Sequence, residues 1–211
     1  MPMADGVTQV QAARWIGDIR AATWLAIGLN MLLRLALLGL LVAVVTAPPD
    51  DPRFAGKGIG LRTVLVVLPL SVGIGAYWLW RRQAHGARDA YPVWVDNLFL
   101  SSLVLDVAGN VFAWYNAYPW FSVIPHFHGA GASAVTLTSV FRVSVAAALA
   151  AANIGHILLE GQEYYADVFF GTDNVRGEAD SVNDLLAGVA GTVLYVAVYL
   201  LLIRGRRRMG T

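Results

Sequence analysis

Six long apolar stretches alternate with short polar segments along the 211-residue chain. A stretch of about 20 apolar residues is long enough to cross the hydrocarbon core of a bilayer as an α-helix. Prolines and charged clusters, which end helices or leave the bilayer, separate the stretches. The pattern predicts an all-α, polytopic membrane protein, a bundle of about six transmembrane helices at residues 22–46, 61–80, 93–113, 125–141, 143–169 and 181–203.

The amino-acid composition also indicates that most of the chain is surrounded by lipid. Hydrophobic residues make up 57% of the chain and charged residues 14%, whereas soluble domains average about 25% charged residues. There are no cysteines, which excludes disulfides, thiolate nucleophiles and cysteine metal sites. The net charge of +1 gives no sign of nucleic-acid binding. We therefore expect the lipid bilayer as a partner, and no nucleic acid.

Basic residues are distributed unevenly between the two sides of the predicted bundle. With both termini in the cytoplasm, ten of the 15 Lys and Arg residues lie inside, four lie outside and Arg34 lies within the first helix. The positive-inside rule favours this orientation. It predicts a cytoplasmic segment at residues 1–21, a transmembrane domain at 22–203 and a basic cytoplasmic tail at 204–211. The first stretch exceeds the apolar region of a cleaved signal peptide, so we interpret it as a retained helix.

In this orientation polar side chains gather in the outer halves of the last four helices. In chain order they are Asp106, Asn110, His126, His128, His156, Glu160, Glu163, Asp180, Asn183 and Asp184. A charge at mid-depth costs about 2.5 kcal/mol or more on insertion scales, which makes such residues functional candidates. His156, Glu160 and Glu163 stand at i, i+4 and i+7 and share one helix face. Gly- and Ala-rich runs on the last three helices predict close helix approach.

Several of these residues also have purely structural interpretations. Arg34 and Asp106 lie at similar predicted depths, so we expect a structural ion pair that cancels two buried charges. Asn110 suits an interhelical hydrogen bond. His156 is either a buried partner of that pair or a member of the outer site, and the spacing leaves both interpretations open.

The order of polar residues over about residues 90–195 resembles a known family. The pattern runs from Asp106-Val-Ala-Gly-Asn110 through the aromatic link ending in Trp120-Phe121, then His126-Phe127, Glu160-x-x-Glu163 and Asp180-x-x-x-Asp184. It resembles the YjdF-like bacterial inner-membrane proteins and, more distantly, VanZ-like proteins from Glu160 onward. Ser122 and residues 173–177 depart from the family pattern. The resemblance implies a bacterial cell membrane and supports the polar cluster as a site, but the family has no assigned chemistry.

The first functional hypothesis is a metal-dependent enzyme open to the outer leaflet, acting on a lipid or lipid-linked envelope intermediate. Histidines and carboxylates form an O/N ligand set suited to Zn²⁺ or Mn²⁺. The predicted metal ligands are His126, Glu160 and Asp184. Glu163 and Asp180 are the predicted acid/base residues, which would act on a metal-bound water. The predicted supporting residues are Arg34, Asp106, Asn110 and His156.

Two other hypotheses use the same residues differently. In a proton- or cation-coupled transporter or channel, the carboxylates would form a gate or relay. The nearly apolar inner helix halves and the lack of an inverted repeat count against that hypothesis. In a membrane scaffold subunit without catalysis, the polar cluster would only hold the helices together.

Overall fold

The computed structural model describes residues 5–48, 50–54, 56–85 and 90–208, with side chains from residue 23 to residue 202 within these ranges. The described residues form helices and no β-strand. The helices are α1 (Asp5–Val45), α2 (Ile59–Arg62), α3 (Leu68–His85), α4 (Val93–Val111), α5 (Trp114–Ala117), α6 (Val123–Ser139), α7 (Val145–Phe170) and α8 (Glu178–Arg208). A π-helical segment, Thr63–Val67, joins α2 and α3 into one continuous helix.

Three helices are long and apolar enough to cross a membrane. They contain Thr23–Val45 with a mean hydropathy of 2.2, Ile59–His85 with 1.9 and Glu178–Leu202 with 2.3. Large apolar side chains on these segments are exposed, for example Leu25 at 72% and Leu201 at 65%. Such surfaces are stable in lipid and costly in water, so the chain associates with a membrane. Of the other long helices, α6 has only 17 residues, and α4 and α7 carry more polar residues.

Each apolar stretch predicted from the sequence lies on a helix of the structure. The first helix is longer than predicted, since it begins at Asp5, and the last one extends to Arg208. The aromatic link between the third and fourth stretches contains the short helix α5.

The boundaries of α7 follow from local chemistry. Ser144 caps its first turn, since its hydroxyl accepts a hydrogen bond from the backbone N–H of Ala147 at 3.3 Å. Arg142 has a φ of 57°, which turns the chain between α6 and α7. Gly171 ends α7 with a φ of 65°, a left-handed cap that glycine adopts without a Cβ clash. These signals set where α7 begins and ends.

Helix α6 occupies the centre of the bundle and packs against α4, α7 and α8, while α1 packs against α4. Small residues permit the close contact of α6 with α8. A Cβ on Gly191 would collide with the backbone carbonyl of Phe127, and a Cβ on Gly131 would lie 2.6 Å from the ring of Tyr195. The prediction of close packing at small residues is therefore confirmed at Gly131 and Gly191.

Candidate metal centre

Three donor atoms from α6 and α7 meet inside the bundle. His126 Nδ1 lies 2.8 Å from His156 Nε2 and 3.2 Å from Glu160 Oε1. His156 Nε2 lies 3.8 Å from the same carboxylate oxygen. Zn²⁺ binds nitrogen and oxygen at about 2.0–2.2 Å, so two ligands of one ion lie no more than about 4.4 Å apart. All three distances are within that limit, and one ion could contact all three side chains.

One carboxylate oxygen of this trio has no hydrogen-bond partner among the described residues. Glu160 is 6% exposed, and its buried Oε1 has no hydrogen-bond partner. The adjacent His126 Nδ1 instead faces His156 Nε2. An unpaired buried carboxylate oxygen is costly, and a cation placed between the three donors would remove that cost. This orphaned oxygen is the strongest sign that the trio suits a metal ion.

Asp184 lies on the other side of the His126 ring. Its Oδ2 is 3.6 Å from His126 Nε2, while the trio uses Nδ1 of the same ring. A carboxylate behind a metal-binding histidine orients the ring and raises its basicity. The geometry thus gives Asp184 an orienting position, and His156, predicted as a supporting residue, lies among the donor atoms.

The Arg62 side chain contacts two of the predicted site residues, Glu163 and Asp106. Its Nη1 donates to Glu163 Oε1 at 2.6 Å, and its Nη2 lies 3.5 Å from Asp106 Oδ2. Tyr115 donates from its hydroxyl to the other oxygen of Asp106 at 2.7 Å. Burial raises the pKa of Tyr115 well above its ordinary value, and the negative charge of Asp106 raises it further. The phenol therefore stays protonated and keeps donating this hydrogen bond.

Asp180 lies at the outer edge of the cluster, where α8 begins. Its carboxylate accepts a hydrogen bond from the Ser122 hydroxyl at 3.5 Å and lies 3.6 Å from Arg176 Nε. Arg176 in turn donates to the backbone carbonyl of Tyr115 at 2.8 Å. Asp180 is thus held by weak, long contacts, unlike Glu163.

A polar cavity of about 100 Å³ is lined by most of these groups, but of the trio only His126 lines it. Its floor includes His126, Asp184 and Asn110, whose amide donates to the backbone carbonyl of Asp106 at 3.1 Å. Two loops contribute Lys57 and Asp173 to its lining, and a backbone hydrogen bond from Asp173 to Gly56 at 2.9 Å joins the loops. Five carboxylates and three cationic side chains line the cavity in the described part of the chain. The excess negative charge favours a cation.

The prediction of an ion pair between Arg34 and Asp106 is wrong. Arg34 pairs with Asp96, with Nη2 and Oδ2 at 2.6 Å, and Asp106 lies beside Arg62. The prediction counted depth from residue 22, but α1 is helical from Asp5. Contacts between the helices set the register instead, since the Asn97 amide donates to the carbonyl of Ala26 at 2.8 Å.

Sequence reasoning missed Arg62, Tyr115 and Asp96 as members of polar networks. Arg62 stands at the start of an apolar stretch and was counted only as an outer-side charge. Its position beside Leu61, inside the hydrophobic run, was the available signal. His128 hydrogen-bonds inside the bundle to Ser101 and Tyr195 at 2.8 and 2.7 Å.

No protein-family model, curated protein or solved structure matches the chain.

Proposed function

We propose that this chain is a six-span protein of the bacterial inner membrane with both termini in the cytoplasm. We further propose that it is a metal-dependent enzyme that acts at the outer leaflet on a lipid or lipid-linked envelope intermediate. The basic-residue bias supports the orientation, and the order of polar residues that resembles the YjdF-like proteins supports the location. The convergence of His126, His156 and Glu160 supports the chemistry, and it is the observation on which the proposal chiefly rests.

In this proposal the three converging side chains hold Zn²⁺ or Mn²⁺, and Asp184 orients His126. A divalent ion would offset the surplus of carboxylates around the cavity and supply an activated water at neutral pH. Asp180 faces the cavity without a short ion pair, which makes it the better acid/base candidate. Glu163, paired with Arg62 at 2.6 Å, positions the arginine in this mechanism.

A second candidate function has a specific observation in its favour. Helix α4 carries polar residues along much of its length: Asp96 and Asn97 are adjacent, and Ser101, Asp106 and Asn110 follow at intervals of four or five residues. Such a stripe suits a proton relay across the membrane. Among the hydrogen bonds of the described residues, however, none joins Asn97 to Ser101 or Ser101 to Asp106. We therefore rank the transporter below the enzyme.

Metal content measured on protein purified in detergent tests the proposal. We expect about one Zn²⁺ or Mn²⁺ per chain in the wild type, and loss of the ion in His156→Ala and Glu160→Gln. His128→Ala and Glu178→Gln are the matched controls, because both side chains lie outside the trio, and both should keep the ion.

The other outcomes identify the alternatives. If the wild-type protein contains no metal and carries out proton-coupled flux in liposomes, the transporter hypothesis would replace the enzyme hypothesis. Absence of both metal and flux, together with unfolding of the two site variants, would leave the scaffold hypothesis.

A further inference from the structure

The polar cavity carries more negative than positive charge, and its three cationic side chains already have partners. Arg62 donates to Glu163 at 2.6 Å. Arg176 donates to a backbone carbonyl at 2.8 Å, and Lys57 donates to the side-chain oxygen of Asn116 at 3.0 Å. Five carboxylates line the same cavity. The described part of the chain therefore leaves a surplus of negative charge there.

Asp184 is the cavity carboxylate that is least well compensated. It is 4% exposed and lines the cavity. Its Oδ2 lies 3.6 Å from Nε2 of His126. Its Oδ1 is buried and has no hydrogen-bond partner among the described residues. A buried carboxylate oxygen without a partner is costly, so this oxygen needs a cation or a hydrogen-bond donor from outside the chain.

An ion in the His126–His156–Glu160 trio would not supply that partner. The trio uses Nδ1 of the His126 ring, whereas Asp184 faces Nε2 on the other side of the same ring. His156 and Glu160 do not line the cavity. The unpaired oxygen of Asp184 therefore indicates a cation other than the one in the trio.

Two further oxygen donors line the cavity with Asp184. Asp180 precedes it by four residues on α8, which places both carboxylates on one helix face. The Ser122 hydroxyl donates to Asp180 Oδ1 at 3.5 Å, a long contact that satisfies neither group well. Carboxylate and hydroxyl oxygens suit Mg²⁺, Ca²⁺ or Mn²⁺ better than ions that prefer nitrogen or sulfur.

The spacing of these oxygens favours Mg²⁺. In the described part of the chain, the trio is the one group of three His, Asp or Glu donor atoms within 4.8 Å of one another, so the cavity carboxylates do not close around an ion. Ca²⁺ takes six to eight oxygen ligands, whereas Mg²⁺ keeps several waters and is held by one or two carboxylates. The cavity volume of about 100 Å³ has room for those waters, since one water needs about 10–15 Å³.

The cavity is open at the loops beside the start of α8. Asn116, Asp173 and Arg176 line its rim and are exposed, while Asp184 lies buried at its floor. A hydrated cation can therefore reach Asp184 from the aqueous side without crossing the apolar core of the bundle.

We propose that the polar cavity is a second cation site, which holds a partly hydrated Mg²⁺ ion. Asp184 Oδ1 is the direct protein ligand, and Asp180 and Ser122 hydrogen-bond the waters of the ion. The His126 ring lies between this ion and the trio, and the two sites use different donor atoms.

Equilibrium dialysis of the purified full chain against Mg²⁺, in nonionic detergent and about 0.15 M NaCl, tests the site. Salt at this concentration screens loose surface binding, and we expect saturation at about one Mg²⁺ per chain. Asp184→Asn should raise the Kd for Mg²⁺ about tenfold or more. Asp51→Asn is the matched control, because Arg53 already pairs with this carboxylate and it does not line the cavity; its Kd should equal that of the wild type.

Two further variants keep the test decisive. Asp180→Asn alters only the accessible edge of the cavity, so it should fold even if Asp184→Asn does not, and it should raise the Kd about threefold or more. Glu160→Gln should lose the ion of the trio and keep Mg²⁺, because Glu160 does not line the cavity.

The outcomes separate this site from the metal centre proposed above. Saturable Mg²⁺ binding by a wild type that holds no Zn²⁺ or Mn²⁺ would support the cavity site and remove the trio. A folded wild type without saturable Mg²⁺ binding, or an unchanged Kd in folded Asp184→Asn, would overturn the cavity site and leave the trio in place. Loss of Mg²⁺ binding in folded Glu160→Gln would also overturn it, since the two sites would then be one.

Discussion

Arg62 and Glu163 form an ion pair that joins α2 to α7 across 101 positions of the chain, with Nη1 and Oε1 at 2.6 Å. The two side chains are 23% and 12% exposed. The same guanidinium reaches Asp106 on α4 at 3.5 Å. One cation therefore balances carboxylates from two helices at the edge of the polar cavity.

We expect Arg62→Leu to destabilise the protein strongly. Removing one partner of a buried ion pair leaves an uncompensated charge and costs about 3–5 kcal/mol. The measurement is the melting temperature of the purified protein in detergent. Arg53→Gln is the control, because the Arg53 side chain is 42% exposed and its partner Asp51 is only two residues away, and such pairs add little. A melting temperature of Arg62→Leu equal to that of the wild type would contradict the role given to this pair.

Glycine substitutions on α8 should separate packing from metal binding. A Cβ on Gly191 meets the backbone of Phe127, whereas a Cβ on Gly188 meets the ring of His156. We expect Gly191→Ala to lower the melting temperature, since backbone cannot move aside cheaply. Gly188→Ala should displace His156 and lose bound metal. Gly161→Ala, with no atom within 4 Å, should be neutral or slightly stabilising; unchanged metal in Gly188→Ala would argue against His156 as a ligand.

The helices could be predicted from the sequence because their determinants are local. Apolar length, a proline-rich break after residue 46 and a glycine cap such as Gly171 are local features that need no knowledge of neighbouring helices. The pairing of Arg34 could not be predicted in this way. Its partner depends on the register of α1 against α4, which contacts such as that between Asn97 and Ala26 determine.

The candidate site was predictable as a set of residues, but its internal geometry was not. Helical spacing brought His156 and Glu160 to one face of α7, and both are buried there. The Nδ1 side of the His126 ring faces His156 on α7 and the Nε2 side faces Asp184 on α8, and this depends on the rotation of α6. As a result, His156 contributes a donor atom to the trio, where Asp184 was expected, and Asp184 takes the supporting position that was expected for His156.

A second buried network, near the opposite end of α4, should contribute stability without contributing to metal binding. Asp96 is 1% exposed and accepts hydrogen bonds at one oxygen from Arg34, Tyr91 and Asn30 at 2.6, 2.6 and 2.7 Å. It lies ten residues, or about 15 Å along the helix, from Asp106.

We expect Asp96→Ala to lower the melting temperature markedly, because three donors lose their acceptor and Arg34 loses its counter-charge. Asp96→Asn keeps an acceptor oxygen and should have a smaller effect. Metal per folded chain should be unchanged in both variants. Loss of metal from folded Asp96→Asn would show that the two networks are coupled, as the transporter hypothesis requires.

Lys57 offers a test of both orientation and electrostatics, because it is the only lysine in the sequence. The proposed topology puts it on the outer side, so a membrane-impermeant amine reagent should label it in intact spheroplasts. Burial lowers the pKa of Lys57 below its ordinary value of 10.5, and the charge of Arg176 lowers it further. A larger neutral fraction at any given pH should make Lys57 react faster than a free lysine side chain. Arg176→Gln should slow the reaction by raising the pKa, and Lys57→Arg should remove the outer label. Labelling of the lysine only after the cells are permeabilised would reverse the proposed orientation.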